Sequence, residues 1–250
     1  MMKIKNRLFM ILTLCFLAFP FATNAQQYTE GEDYQRMDAG QPRDAQMIEV
    51  VEFFAYACPY CARVEMPLAI WHEMKPENVT YTRIAIPRNG RWETYAKAYY
   101  ALQAIDPALE LKLLPEIMKT VVYHRQNLDN DADFIDWAEK QGVNRQQFAA
   151  LMASKEIAQK VEDALLLSQQ YGVPSVPAIY VDGRYQLIHN NTYYEKIPLM
   201  LNALIAQAWE ERAQDDTETS NQPEEATATP YLFSEDAGAC SRDAGANACQ

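Results

Sequence analysis

Two cysteines separated by two residues, Cys58-Pro59-Tyr60-Cys61, are the sharpest chemical feature of the chain. Cysteine attacks, leaves or binds metal as its thiolate. At this spacing the two sulfurs can close a disulfide, exchange electrons with another dithiol, or supply half of a zinc site. The flanking residues favour exchange. Ile48 to Ala55 is an apolar run rich in β-branched and aromatic residues, read as a strand buried on both faces. A helical pattern follows at once, with Pro59 in its first turn, where a missing N–H costs nothing. Cys58 then stands at a helix N-terminus, where unpaired N–H groups and the positive dipole end lower its pKa. Cys61, one turn in, is the less exposed partner. Zinc would need two more ligands, and only His72, His124, His189, Cys240 and Cys249 are on offer, in no matching pair. An inert structural disulfide, as in a peptide-binding chaperone, is the other rival.

The N-terminus bears on the redox compartment. Lys3, Lys5 and Arg7 precede an apolar run from Leu8 to Phe21, and Thr23-Asn24-Ala25 follows. This is the pattern of a secretory signal peptide over residues 1–25, cleaved after Ala25 and taking Cys15 with it. An uncleaved anchor is the alternative, for which the run is short. Outside the cytosol a Cys-x-x-Cys pair is either oxidised or cycling. The formal net charge of −12 is concentrated at the other end. From Glu210 to Gln250 ten acids face only Arg212 and Arg242. The absence of a basic stripe argues against nucleic acid as a partner.

The elements around the pair follow from periodicity. Val79 to Ile86 reads as a second strand. Helices are expected at Trp92–Ile105, Ala108–His124, Asp131–Gln141, Arg145–Ala153 and Lys155–Tyr171, with Asn130 and Asn144 as N-caps and Pro115 breaking or kinking the second. Strand character returns at Ala178–Val181. Asp182-Gly183 marks a hairpin turn to Tyr185–Ile188, and a last helix runs from Tyr193 to Trp209. A helical block between β-α-β and β-β-α predicts an α/β thioredoxin-like fold with an inserted all-helical domain. The expected division is 26–90 and 172–212 for the thioredoxin-like part and 91–171 for the insertion. An acidic disordered tail follows at 213–250.

The segment Glu52-Phe53-Phe54-Ala55-Tyr56-Ala57-Cys58-Pro59-Tyr60-Cys61 resembles the active-site segment of the DsbA family of periplasmic dithiol oxidases. Val176-Pro177-Ala178-Ile179-Tyr180-Val181-Asp182-Gly183 is similar to that family's cis-proline loop and hairpin. The resemblance spans about residues 28 to 209. It implies a disulfide-introducing oxidoreductase without cofactor, acting as a monomer in the periplasm. Cys58 and Cys61 would be the catalytic pair, and Val176 and Pro177 would meet an extended substrate. A trans Pro177, or Pro174 in its place, is the alternative. Glu52 would be a buried acid moving protons, or else a solvated acid at a strand edge. Arg83 would be its basic partner, and Glu65 a second acid on the helix. Implied partners are reduced or unfolded exported proteins and a DsbB-like, quinone-linked membrane oxidase.

The best-studied oxidases of this family carry histidine where this chain has Tyr60, so Pro59 and Tyr60 are the expected tuning positions. Cys-Pro-Tyr-Cys is also the glutaredoxin motif, with potentials near −200 to −230 mV against about −120 mV for DsbA. A reductase or isomerase is therefore the runner-up. Isomerases of this type usually add an N-terminal dimerisation domain, and the stretch between Ala25 and Ile48 is too short for one.

Overall fold

The computed structural model describes residues 28–37, 44, 46–88, 90–188 and 194–221. The expected signal peptide, Cys240 and Cys249 lie outside the described residues. The chain divides into two compact units, Met1–Arg212 and Ala213–Gln250.

A five-stranded sheet organises the first unit, in the order β1-β5-β4-β2-β3. The strands are β1 (Tyr34–Arg36), β2 (Ile48–Phe54), β3 (Val79–Ala85), β4 (Ala178–Val181) and β5 (Tyr185–Leu187). β2 pairs parallel with β3 and antiparallel with β4. That interior place explains its near-continuous apolar sequence. Side chains alternate along it. Ile48 and Val50 share a core with Val64, Leu68 and Trp71 of α1 (Pro59–Met74) and with Leu201 and Leu204 of α7 (Ile197–Asn221). Val51 and Phe53 belong to a second core with the inserted helices. Burying one such side chain contributes about 1.5–3 kcal/mol relative to leaving it exposed.

Between β3 and β4 lie α2 (Gly90–Ile105), α3 (Pro107–Met118), a π-helical turn (Lys119–Tyr123), α4 (Asp131–Lys140), α5 (Arg145–Met152) and α6 (Lys155–Gln170). Side chains of Asp106, Asn130, Asn144 and Ser154 cap α3 to α6, each accepting a backbone N–H two or three residues on. Pro115 does not break α3; the helix runs through it and widens into the π turn. The hairpin turn has Asp182 at φ 58° and Gly183 at φ 64°, two left-handed residues as a type I′ turn requires.

One strand is new and one expectation is corrected. β1 is not among the expected elements, because three residues carry no measurable alternation; its partner β5 creates it. The last helix runs to Asn221 rather than Trp209, so the tail's described residues, Ala213 to Asn221, are helical. Ala213, Gln214 and Glu218 are good helix formers, and the Thr217 hydroxyl donates to the Ala213 carbonyl at 2.8 Å. No helix among the described residues is long and apolar enough to cross a membrane.

Candidate active site

The turn Ala55-Tyr56-Ala57 carries the chain from β2 into α1, and the Cys58 N–H closes it on the Ala55 carbonyl at 3.1 Å. Cys58 is the N-cap of α1. Its Sγ accepts the Cys61 N–H at 3.3 Å, the place a serine or aspartate oxygen takes in other helices. Both cysteines are present as thiols and both are buried, with Cys58 4% and Cys61 1% exposed. The Cys58 thiol also donates to the Val176 carbonyl at 3.3 Å, which lays the loop before β4 against the sulfur. The Val176–Pro177 bond is cis, so Pro177 rather than Pro174 holds this place. The Arg88 guanidinium donates to the Pro174 carbonyl and ties down the start of the loop.

Location makes the two thiols unlike. The Cys61 side chain hydrogen-bonds to Cys58 and, with the N–H groups of Cys61 and Tyr60, draws the Cys58 thiol down to about 7. Burial and the Glu52 charge oppose this. Burial pushes the Cys61 thiol well above its ordinary value, helped by its donation to Cys58 and by Glu52. One sulfur is set up to hold charge and the other to hold a proton.

Glu52 lies behind the pair on β2, only 2% exposed and directly opposite Arg83 of β3 in the ladder. The strand-edge alternative is thereby excluded. Arg83 Nε is 3.3 Å from Glu52 Oε2, and its Nη2 donates to Glu65 Oε1 at 3.2 Å. Glu65, expected as a second acid of the helix, thus joins the same cluster. Burial lifts its carboxyl to about 7, against the pull of Arg83. Burial disfavours the Arg83 charge, yet Tyr81, Glu52 and Glu65 together hold it more firmly protonated than usual.

The structure adds three groups that the sequence reading missed. The Tyr81 hydroxyl donates to Glu52 and accepts from Arg83 Nε at 3.1 Å. The Tyr56 hydroxyl donates to Glu110 Oε1 of α3 at 2.9 Å. Glu110 itself is only 1% exposed. Signals for two of them were there. Tyr81 is two residues from Arg83 and so shares its strand face. Glu110 occupies the stripe of Leu113, Leu114 and Ile117 at i, i+3, i+4 and i+7, where an acid must be buried.

Comparison with known proteins gives one answer. The thioredoxin family model matches residues 39–203. The thiol:disulfide interchange protein DsbA of Bordetella pertussis is 31% identical over 168 residues, 67% of this chain and 78% of that one. DsbA of Pseudomonas aeruginosa is 27% identical over 169 residues, covering 67% and 79%. A crystal structure of Pseudomonas aeruginosa DsbA superposes with a TM-score of 0.66 at 25% identity, covering 77% of this chain and 98% of that one. The N-capping cysteine pair, the buried acid and the cis-proline loop thus sit in a thioredoxin-like fold with an inserted helical domain, and the chain belongs to the DsbA family of thiol:disulfide oxidoreductases.

Proposed function

We propose that this disulfide-introducing oxidoreductase works in the periplasm on reduced or unfolded exported proteins, with Cys58 as the exchanging sulfur and Cys61 as the resolving one. The carrying observation is Cys58 Sγ held between the Cys61 N–H and the Val176 carbonyl, each at 3.3 Å. In the oxidised state a substrate thiolate attacks Cys58 Sγ. The Cys58–Cys61 bond breaks, and Cys61 leaves with the electron pair and takes up a proton. The substrate's second thiolate then attacks the substrate sulfur of the mixed disulfide and expels Cys58 as thiolate. Two electrons have moved to the protein, and the substrate has gained one disulfide. In this reading Glu52 exchanges the Cys61 proton, and Arg83 and Tyr81 hold Glu52 in place. Val176 and Pro177 align the substrate backbone beside the sulfur. A DsbB-like, quinone-linked membrane oxidase would accept the electrons and restore the disulfide.

Trapping tests the division of labour. The Cys61→Ala protein should accumulate mixed disulfides with exported proteins through Cys58, whereas Cys58→Ala should accumulate few. Equal trapping on non-reducing gels would overturn the assignment.

A further inference from the structure

The Glu52–Arg83 pair does not use all of the arginine. Arg83 is buried, and its Nη1 has no hydrogen-bond partner. It lines a cavity of about 130 Å³ at the β3 edge, bordered by His72 of α1, Tyr81 of β3, Tyr99 and Gln103 of α2, and Glu110 of α3. Glu110 and Arg83 thus border the same cavity, and the Glu110 carboxylate accepts the Tyr56 hydroxyl. Tyr56 is fully buried, with Phe54, Tyr99 and Phe134 around its ring at centroid distances of 5.6, 6.2 and 6.4 Å. It stands two residues before Cys58 in the turn that positions that sulfur.

We propose that Glu110 is a positioning residue for disulfide exchange, holding the Cys58 turn through the Tyr56 hydroxyl and drawing on the same Arg83 charge as Glu52. The inference rests on Cys58/Cys61 being the redox pair. Glu52 and Glu65 both contact the Arg83 guanidinium, and Glu110 is a third buried carboxylate on the same cavity. The other groups facing Glu110 (Tyr56, Tyr81, Tyr99, Gln103 and His72) carry no fixed charge. An ionised Glu110 thus adds a negative charge that Arg83 alone must offset, which disfavours a second negative charge on Cys58. A protonated Glu110 leaves Arg83 to the other two. Burial raises the Glu110 carboxyl to about 7, with Glu52 adding and Arg83 and the Tyr56 bond opposing, so its charge changes in the working range of the reaction.

Glu110→Gln separates charge from shape, since its amide oxygen can still accept from Tyr56. The equilibrium of the full chain with glutathione is measured from pH 6 to pH 8 for both proteins. The variant should favour the reduced form, by little at pH 6 and by about 3- to 10-fold at pH 8, equivalent to half to one pKa unit at Cys58. A difference that is absent, or constant across pH, overturns the proposal, because a merely structural role has no reason to follow pH. If the glutamine variant does not fold, Tyr56→Phe serves instead. It removes a bond that favours the ionised carboxylate, and should shift the equilibrium in the same direction at pH 7. Failure of the wild type to oxidise a reduced dithiol peptide would instead remove the functional reading itself.

Discussion

Tyr60 stands in the first turn of α1, 45% exposed, with the Arg63 guanidinium 5.5 Å from its ring. Its backbone N–H helps to hold charge on Cys58, but its neutral side chain adds none. Oxidising power in this chemistry comes from stabilising the reduced form as the Cys58 thiolate. A histidine at 60 would add a donor and, when protonated, a positive charge. One charge-assisted hydrogen bond is worth roughly 1.5–3 kcal/mol, and 30 mV is about 1.4 kcal/mol for a two-electron couple. Tyr60→His should therefore raise the potential by about 30–60 mV and lower the Cys58 pKa, as read by glutathione equilibration and thiolate absorbance. An unchanged potential would assign the poise to the Val176–Pro177 loop. At this scale the pair and its acid were legible because Cys-x-x-Cys and an acid in an apolar strand are conspicuous. Tyr56 was not, since a tyrosine looks the same in sequence whether its hydroxyl faces water or a carboxylate.

The elements were read well wherever a period of about 3.6 ran for three turns or more. The active-site helix was expected with Pro59 in its first turn and runs from there to Met74, and Asn130 and Asn144 cap as their positions suggested. β1 and the continuation of α7 depend on pairing and propensity that periodicity does not record. α3 has the clearest physical consequence. Glu65 and Glu110 both titrate near 7 in the folded protein, mainly through burial, against an ordinary value of 4.5. The folded state therefore binds more protons than the unfolded state between these values. The stability this lends is present below pH 4.5 and is lost as pH rises through 7. The slope should approach about 1.4 kcal/mol per pH unit for each group at its steepest. Urea unfolding at several pH values would show this in a chain carrying Cys58→Ala and Cys61→Ala, where thiol titration does not contribute. Adding Glu110→Gln should remove roughly half of the slope, and an undiminished slope would mean that Glu110 is ionised throughout.

On the scale of the molecule, Arg212 closes the first unit. It is 8% exposed and grips Asp182 of the β4–β5 turn through both Nε and Nη2, while its Nη1 donates to the Asp44 carbonyl at 2.8 Å. A chain cut after Arg212 should oxidise a reduced model peptide as fast as the full chain. Cys240 and Cys249 would then be dispensable, in keeping with a disulfide of their own. Arg212→Met removes that grip while Arg184 Nε stays 3.3 Å from Asp182, and should cost about 1.5–3 kcal/mol in denaturant unfolding. Loss of peptide oxidation on removing residues 213–250 would give the tail a share in the reaction. The recess around the sulfurs bears on when a client would be served under the proposed function. With Cys58 4% exposed, a thiol fixed inside a finished core would be kept away, whereas one on a slack strand would reach it. The depth of one sulfur would then act as a clock, confining cross-linking to the interval before a client closes.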